Sequence, residues 1–392
     1  MRVAILGHLL SFASGYRQAG VSRYIEFLVR HLPEAGRGDE FVLFTGGANA
    51  QGRNGMSGAV RWRTSRLPTG RPEVRILWEQ VLAPAALAVG GFDVIHAPVN
   101  VAPVLSPAPT VVTVHDLAFV RYPEQYPGRK QRYLNLLTRL SVERAARVIT
   151  VSESTRADVL REYHVHPERV VTVPNGVDPS LVPVSDLARL AAFRRDHGLP
   201  ERFLLFVGTL QPRKNLVGLL RAYARVGDRL DLPLVVVGAA GWQYSPIFDE
   251  VRALGLGDRV SFAGYADGDT LALWYGAATA LVFPSLYEGF GLPVLEAMAC
   301  GTPVVTSSTS SLPEVAGDAA LLVDPEDVAA LGEALVRVAG DEGLHADLAR
   351  RGIERAKRFT WERTARETVA VYRDAVTASP RAHRASMAGE RG

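Results

Sequence analysis

The sequence lacks the features that assign a protein to several special classes. Cys300 is the single cysteine in 392 residues, which excludes a disulfide framework and a cysteine-based zinc cluster. The first apolar run, Val3–Leu6, has four residues, whereas a signal peptide needs ~7–15 and a membrane helix ~20. Basic residues exceed acidic ones by only three, too few to indicate binding to nucleic acid. We therefore predict a cytoplasmic protein, or one bound peripherally at the inner face of a membrane, with no nucleic-acid partner.

A regular alternation runs along the whole chain. Short apolar runs bounded by turn residues are followed by segments of helical periodicity, such as Glu73–Val89. This order is typical of βαβ units with parallel strands. The length fits two domains. We therefore predict an α/β protein with two doubly wound, Rossmann-like domains that face a cleft.

Composition changes indicate where these domains begin and end. Three prolines lie in residues 179–200, which predicts a linker there. Residues 1–178 would then form the first domain and residues 201–360 the second. Residues 361–378 have helical periodicity. Residues 379–392 lack periodicity and are predicted to be a disordered tail.

The run from Glu288 to Glu296 is the most specific segment of the second domain. Gly289 and Gly291 allow the backbone to approach a ligand closely. A helix is predicted to begin at Leu292, so the amides around Phe290 and Leu292 would face a bound diphosphate with the helix dipole behind them. The segment therefore predicts a cradle for a diphosphate.

Two carboxylates bracket this turn. Glu296 lies about one helical turn into the helix and points back towards its start, where a carboxylate can accept hydrogen bonds from both ribose hydroxyls. Glu288 precedes the turn, at the predicted mouth of the site. The alternative is an ordinary helix start with two surface glutamates.

Two cations follow another strand, Phe203–Val207. After Gly208 and Thr209 the chain reaches Arg213 and Lys214, just ahead of a predicted helix. A departing nucleotide diphosphate develops about two negative charges, which Arg or Lys can neutralise without a metal ion. A solvated surface pair is the alternative interpretation.

Two other polar segments allow different interpretations. Asp267-Gly268-Asp269 is similar to a metal-binding acidic pair, but we interpret it as the cap of a following helix and predict no metal or other cofactor. The hydroxyl-rich residues 307–311 would line the sugar or phosphate side of the pocket, or simply precede a short helix.

Two histidines end strands of the first domain. The strand Thr110–Val114 is followed by His115 and Asp116. At the carboxyl end of a strand His115 can donate a hydrogen bond to a sugar hydroxyl, or it can be a structural histidine paired with Asp116. His96 also ends a strand and is a candidate for the acceptor pocket.

Glu288 and Glu296 have seven residues between them, and with the run through Gly301–Val305 they resemble a known family signature. It is the paired-glutamate signature of the retaining glycosyltransferases of the GT-B fold, similar to glycosyltransferase family 4, which includes bacterial mannosyl- and glucosyltransferases. The resemblance implies that Glu296 binds the donor ribose and that Glu288 contacts the sugar or its leaving phosphate. It also implies that His115 contacts the donor sugar and that residues 361–378 cross back to the first domain.

The resemblance extends to the other donor-binding segments. It implies that Arg213 and Lys214 form a phosphate clamp after Gly208, and that the backbone of Gly264 and Tyr265 holds the nucleobase. Thr209 departs from the family, in which many members carry arginine directly after the glycine.

The loop before the first helix shows a second departure. Gly20 is predicted to bring helix amides near the phosphates or the acceptor, and Arg23 to contact either of them. The family usually has two adjacent glycines where this chain has Ala19 and Gly20. Arg23 is equally compatible with a helix surface.

Residues 122–147 carry six basic side chains among apolar and aromatic ones. A basic amphipathic helix of this kind is able to rest on an anionic membrane and meet a lipid-linked acceptor. A solvated helix face is the alternative.

Together these features predict a hexosyltransferase. It would transfer a hexose, with retention, from a nucleotide diphosphate sugar (GDP-mannose or UDP-glucose) to a hydroxyl of a glycan or lipid-linked acceptor in polysaccharide, glycolipid or envelope glycan synthesis. Front-face attack is favoured because no carboxylate is placed as a nucleophile. The alternatives are a phosphorylase or epimerase on the same architecture, and a non-catalytic nucleotide-sugar-binding subunit.

Overall fold

The computed structural model describes residues 1–12, 20–46 and 58–378. The predicted tail, residues 379–392, and Ala19 lie outside these ranges. The chain forms two compact units. Unit 1 comprises Met1–Gly176 together with the chain from Trp361 onwards, and unit 2 comprises Val177–Thr360.

The described part of unit 1 is built on a parallel sheet with the strand order β3-β2-β1-β4-β5-β6-β7. The order reverses between β1 and β4, and ligands of such sheets bind beyond the carboxyl ends of the strands at this point. The strands are β1 (Arg2–Leu6), β2 (Glu40–Gly46), β3 (Val60–Ser65), β4 (Val94–Ala97), β5 (Thr110–Val114), β6 (Arg147–Thr150) and β7 (Val170–Thr172).

Helices cover both faces of this sheet. In β1, Val3 and Ile5 pack into one hydrophobic cluster while Ala4 and Leu6 pack into the other, as the two-residue period of a strand requires. The helices are α1 (Val21–Ala35), α2 (Pro72–Leu77), a π-helix (Trp78–Leu82), α3 (Ala83–Gly90), α4 (Ala118–Arg121), α5 (Gly128–Arg144) and α6 (Glu153–Glu162).

The prediction of one helix over Glu73–Val89 was wrong in detail. The chain forms α2, then the π-helix, then α3. Pro84 has no amide hydrogen, so an unbroken α-helical ladder cannot run through it. The π-helix, which is wider than an α-helix, lies directly before the turn that contains Pro84.

Unit 2 has a second parallel sheet, with the strand order β10-β9-β8-β11-β12-β13. Its strands are β8 (Leu204–Val207), β9 (Leu234–Val237), β10 (Val260–Gly264), β11 (Ala280–Phe283), β12 (Val304–Ser307) and β13 (Leu321–Val323). Its helices are α7 (Leu187–Asp196), α8 (Leu216–Val226), α9 (Ser245–Ala253), α10 (Leu271–Ala277), α11 (Leu292–Ala299), α12 (Leu312–Ala316), α13 (Val328–Gly340) and α14 (Glu342–Ala356).

The predicted linker, residues 179–200, contains a helix, α7. Asp186 caps it by accepting a hydrogen bond from the amide of Arg189. Phe193 is buried and packs edge-on against Trp274 of α10, with ring centroids 5.1 Å apart. The prediction of a linker was therefore wrong for α7, because its apolar face packs on unit 2.

The last helix, α15 (Trp361–Thr377), returns to unit 1. Trp361 stacks on Phe27 of α1 at 5.3 Å between ring centroids. Asp374 accepts two hydrogen bonds from the guanidinium of Arg147, at 2.5 and 2.8 Å. Unit 1 is thus completed by a segment distant in sequence.

Within residues 1–12, 20–46 and 58–378, every helix is too short or too polar to cross a bilayer.

Candidate donor site and the strand ends of unit 1

The predicted nucleotide-sugar segment lies between β11 and α11. Gly291 precedes α11 with φ 108°, a backbone conformation that favours glycine. A Cβ at this position would lie 2.6 Å from Cδ2 of Leu312. Pro293 occupies the first turn of α11, where no amide partner is needed. These local constraints place the start of the helix at Leu292, as the sequence predicts.

The carboxylate of Glu288 lies between two cations. Lys214 Nζ donates a hydrogen bond to Glu288 Oε1 at 2.6 Å, and Arg213 Nη1 lies 3.0 Å from Oε2. The Ser285 hydroxyl also donates to Oε1, at 2.6 Å. Burial alone would raise the pKa of Glu288, but Arg213 and Lys214 outweigh it and lower the pKa to about 2. With Glu288 ionised, the side chains of Glu288, Arg213 and Lys214 together carry a net charge of plus one.

Both cations come from one tight loop. After Gly208 the chain forms a 3₁₀ turn over Pro212–Lys214. The carbonyl of Arg213 accepts a hydrogen bond from the amide of Leu286 at 2.9 Å, and its guanidinium donates to the carbonyl of Tyr287. The loop after β8 is therefore joined to the loop after β11, which brings residues 74 positions apart together.

Gly208 and Thr209 lie at the start of this loop. The amide of Gly208 donates to the carbonyl of Val237 at 2.9 Å. A Cβ at Gly238 would lie 1.9 Å from the carbonyl oxygen of Gly208, so the loops after β8 and β9 are in close contact. Gly264 is the last residue of β10, with φ 77°, and the exposed Tyr265 follows it. Four of the predicted donor-binding residues thus lie at the carboxyl ends of β8 and β10, the two strands that flank β9.

Serines after β12 hold the backbone of the glutamate segment. Ser310 Oγ accepts a hydrogen bond from the amide of Glu288 at 3.0 Å. Ser311 Oγ donates to the carbonyls of Glu288 at 2.9 Å and Phe290 at 2.8 Å. Residues 307–311 were predicted to line the sugar or phosphate side of the pocket. In the structure, Ser310 and Ser311 position the loop that precedes α11, a role that depends on the tertiary fold.

Glu296 is buried on α11 and hydrogen-bonded to a partner that sequence reasoning missed. Tyr275 of α10 donates its hydroxyl hydrogen to Glu296 Oε2 at 2.8 Å. Thr302 Oγ1 in turn donates to the carbonyl of Tyr275 at 2.8 Å. The orientation of the Glu296 carboxylate is therefore set from a neighbouring helix. No sequence spacing signals this pair.

The acidic pair Asp267 and Asp269 does not cap a helix through a side chain. The chain forms a 3₁₀ turn over Gly268–Thr270, and the amide and hydroxyl of Thr270 both donate to the carbonyl of Asp267, at 3.0 and 2.9 Å. The predicted side-chain cap was wrong because the backbone carbonyl takes its place. Groups of three or more metal-ligating side chains are not found among the described residues.

In unit 1, His115 is half-buried at the carboxyl end of β5. Its Nε2 donates to the carbonyl of Pro98 at 2.9 Å, and its amide donates to Asn100 Oδ1 at 3.0 Å. Burial lowers the pKa of His115, and the hydrogen bond to Pro98 only partly opposes this. The ring is therefore neutral with its hydrogen on Nε2, which leaves Nδ1 as an acceptor. A bond from His115 to a sugar hydroxyl would thus be accepted by the ring, not donated as the sequence suggested.

The prediction that His96 lines the acceptor pocket was wrong. It is fully buried, and both ring nitrogens are hydrogen-bonded, Nε2 with Thr113 Oγ1 at 2.8 Å and Nδ1 with the Tyr372 hydroxyl at 2.7 Å. Burial, with a smaller contribution from His115, lowers its pKa to about 3. His96 is a core histidine that joins α15 to the sheet.

Gly20 and Arg23 lie where the sequence predicts a helix start. Gly20 precedes α1 with φ 52°, and its carbonyl accepts a hydrogen bond from the amide of Tyr24 at 2.9 Å. Arg23 is half-buried in the first turn. Their proposed phosphate or acceptor contacts stay predictions.

Two buried ionisable groups beyond β1 were missed. His8 Nδ1 lies 3.2 Å from Thr69 Oγ1, and its ring is 4.0 Å from that of Trp78. Glu79 on the π-helix is buried, with Arg75 Nε 3.7 Å from its Oε1. Burial raises the pKa of Glu79 to about 7, with Arg75 opposing. The available sequence signal was a histidine, His8, two residues after the end of the apolar strand β1.

Comparison with protein families gives two matches. The model of glycosyl transferases group 1 matches residues 191–358, and the model of Glycosyltransferase Family 4 matches residues 19–181.

Two relatives match about two thirds or more of this chain. O-antigen chain mannosyltransferase B of Escherichia coli is 34% identical over 265 residues, 67% of this chain and 70% of that protein. D-inositol 3-phosphate glycosyltransferase of Acidothermus cellulolyticus is 35% identical over 316 residues, 73% of this chain and 68% of that protein.

Solved structures share the architecture. Sucrose-phosphate synthase from Thermosynechococcus elongatus has a TM-score of 0.77 at 27% identity, covering 96% of this chain and 100% of that one. Anabaena HepE, solved in complex with UDP and glucose, has a TM-score of 0.73 at 20% identity, covering 94% of this chain and 98% of that one. The predicted GT-B fold of two Rossmann-like domains is confirmed.

Proposed function

The chain belongs to the glycosyltransferase family of the group 1 and family 4 models, and from this premise we propose that it is a retaining hexosyltransferase. Its donor is a nucleotide diphosphate sugar, and its acceptor is a hydroxyl of a glycan or of a lipid-linked glycan. The observation that carries the proposal is the buried cluster of Glu288, Arg213 and Lys214.

The cluster has the properties of a site for a departing diphosphate. Glu288 holds both cations in place through contacts within the chain itself. Preorganised charge of this kind stabilises the transition state without reorganisation during the reaction. The adjoining start of α11 adds backbone amides and the positive end of a helix dipole. Because these groups supply the positive charge, the proposed reaction needs no metal ion.

Glu296 is proposed to bind the ribose of the donor. A carboxylate accepts hydrogen bonds from two neighbouring hydroxyls. The bond from Tyr275 at 2.8 Å fixes the orientation of this carboxylate from α10. Binding and leaving-group stabilisation would therefore be divided between the two glutamates, with neither acting as an acid or a base.

The low pKa of Glu288 argues for front-face attack. A carboxylate held between two cations is a weak base and a weak nucleophile. In the proposed step the acceptor oxygen forms a bond to the anomeric carbon as the bond to the diphosphate breaks. The proton of the acceptor hydroxyl passes to an oxygen of the departing phosphate. Configuration is retained because both bonds lie on the same face of the sugar.

GDP-mannose is the favoured donor, with UDP-glucose as the second candidate. Support for mannose comes from the relative named O-antigen chain mannosyltransferase B. A thermal-shift panel of nucleotide sugars tests the choice, because a ligand that binds only the folded protein raises the unfolding temperature. GDP-mannose is expected to stabilise the chain more than UDP-glucose or GDP alone. Equal shifts for all nucleotide sugars would remove the mannose assignment.

Transfer itself is tested with a donor radiolabelled in the sugar. Slow hydrolysis of the donor by the purified protein is expected without acceptor, and its stereochemistry is readable by NMR. Retention supports the proposal and inversion contradicts it. Release that depends on inorganic phosphate would indicate a phosphorylase. A complete lack of turnover with intact donor binding would indicate a non-catalytic binding subunit.

A further inference from the structure

We propose that a cavity in unit 1 is a binding site for a phosphate monoester of the size of a sugar phosphate. The cavity has a volume of about 470 Å³ and lies between the end of α5, the loop of residues 102–109 and the first residues of β5 and β6. We call it the arginine cavity, because Arg144, Arg147 and Arg169 line it. The proposal goes beyond the proposed function and does not rest on it.

The arginine cavity lies at the edge of the sheet opposite to the strand ends described above. Thr110 is the first residue of β5 and lines the cavity, whereas His115 follows the last residue of the same strand. Arg147 likewise begins β6, which runs parallel to β5. Substrates of such folds bind beyond the carboxyl ends of the strands. The arginine cavity is therefore a separate place on unit 1.

The cations of the arginine cavity outnumber the acids that compensate them. No acidic residue of the described chain lines the cavity. Asp374, which does not line it, accepts two hydrogen bonds from Arg147, at 2.5 and 2.8 Å. Arg144 and Arg169 form no ion pair with the described residues. Three guanidiniums and one carboxylate leave two positive charges without a counterion.

Two of these guanidiniums have unused hydrogen-bond donors. Arg169 donates only through Nη2, to the carbonyls of Glu143 and Ala145 at the end of α5. Its Nε and Nη1, and the whole guanidinium of Arg144, have no partner in residues 1–12, 20–46 and 58–378. Arg144 and Arg169 are therefore the groups that would hold an anion.

The electrostatic surroundings of Arg169 favour a bound anion. Burial and the nearby Arg147 lower the pKa of Arg169, which means that its charge is disfavoured where it lies. An anion in the cavity would offset that penalty. The negative end of the α5 dipole would oppose binding, but Arg169 already covers the carbonyls of Glu143 and Ala145 there.

Charge and size together indicate the class of ligand. A phosphate monoester carries a charge of about −1.5 to −2 at neutral pH, which matches the two uncompensated positive charges. Guanidiniums bind phosphate oxygens through charge-assisted hydrogen bonds. The volume lies within the ~300–1,000 Å³ of small-molecule sites and is too large for a bare phosphate. Pro103, Val104 and Pro109 provide apolar walls for the carbon skeleton.

Isothermal titration calorimetry of the full chain with glucose 6-phosphate tests the proposal. At low salt we expect saturable binding of one ligand per chain, weaker binding of inorganic phosphate and no binding of glucose. High salt should weaken the binding, because exposed charges are screened.

Charge variants of α5 test the location of the ligand. Arg144→Glu should weaken binding of glucose 6-phosphate roughly 10-fold or more, because a donor to a charged group is lost. Arg144→Lys keeps the charge and should retain most of the affinity. The matched control is Arg129→Glu, which makes the same charge change on an exposed residue of α5 that does not line the cavity. It should bind like the wild type.

The candidate donor site also carries cations, so a further variant separates the two sites. Lys214→Ala removes a cation of the donor site and should bind glucose 6-phosphate as the wild type does. Donor hydrolysis should be unchanged in Arg144→Glu, because the arginine cavity lies at the other edge of the sheet.

Four results would overturn the proposal. One is a lack of saturable binding at low salt, and another is equal affinity in Arg144→Glu and the wild type, with the fold intact by circular dichroism. A third is equal affinity for inorganic phosphate and glucose 6-phosphate, which would indicate a site for a simple anion only. The fourth is loss of binding in Lys214→Ala, which would place the ligand in the donor site.

Discussion

Lys214 Nζ donates a hydrogen bond to Glu288 Oε1 at 2.6 Å, and the two side chains are only 11% and 10% exposed. Buried ion pairs bring little net stability, because desolvation costs about as much as the attraction returns. Buried ion pairs more often serve to hold charged side chains in a fixed position. In this chain the fixed charge lies beside the start of α11, which is where the proposed leaving group needs it.

Replacing Lys214 by alanine should lower the turnover number for donor hydrolysis roughly 100- to 1,000-fold, the usual effect of removing one group that stabilises a transition-state charge. Single-turnover kinetics with radiolabelled donor would measure this. The control is Lys357→Ala, which removes a lysine that pairs with Glu354 at the same 2.6 Å but is 64% exposed. Near wild-type turnover in Lys214→Ala, with the fold intact by circular dichroism, would contradict the assignment.

Acid should weaken the folded state through Glu288. Its pKa is lowered from 4.5 to about 2, so its stabilising contribution is full above pH 4.5 and disappears as the pH falls towards 2. The shift corresponds to about 3 kcal/mol. Chemical denaturation between pH 6 and 3 should therefore show a steeper loss for the wild type than for Glu288→Gln. Parallel pH profiles for the two proteins would contradict the pairing.

Removing the hydroxyl of Tyr275 should weaken donor binding. Tyr275→Phe deletes the hydrogen bond to the Glu296 carboxylate, and a bond to a charged group is worth ~1.5–3 kcal/mol. The KM for the donor should rise roughly 10- to 100-fold, with a smaller change in kcat. Tyr265→Phe is the control, because the proposed role of Tyr265 uses its backbone only. A fall in kcat without a change in KM would count against ribose binding by Glu296.

Glu79 should make the protein less stable at high pH. Burial raises its pKa from 4.5 to about 7, so the folded state binds the proton more tightly than the unfolded state. Its contribution is full below pH 4.5 and is lost as the pH rises through 7, an effect of about 3 kcal/mol. Glu79→Gln should therefore unfold at higher denaturant than the wild type at pH 8, and the gain should shrink at pH 5. The same gain at both pH values would exclude this origin.

Much of the fold was predictable from local pattern. The alternation of apolar runs and helical segments correctly predicted two Rossmann-like domains, because strand and helix periods repeat over a few residues. The start of α11 was equally readable, since Gly291 and Pro293 each impose a local backbone constraint. The helix in residues 187–196 was missed because the three prolines of the segment outweighed its local signals, the Asp186 cap and the apolar residues Leu190 and Phe193.

The residue types and loop positions of the proposed donor site were determined by the sequence alone. Glycines, cations and glutamates follow strands there, and the chemistry of a diphosphate needs those groups. Only the tertiary structure decided how they are paired. Glu288 meets Lys214 across 74 residues, and His96 is locked in the core by Tyr372 from 276 residues away. Such pairings depend on which loops the sheet order makes neighbours. These pairings set the pKa of Glu288, the position of the ring hydrogen on His115 and the burial of His96. None of the three can be predicted from residue spacing in one sequence.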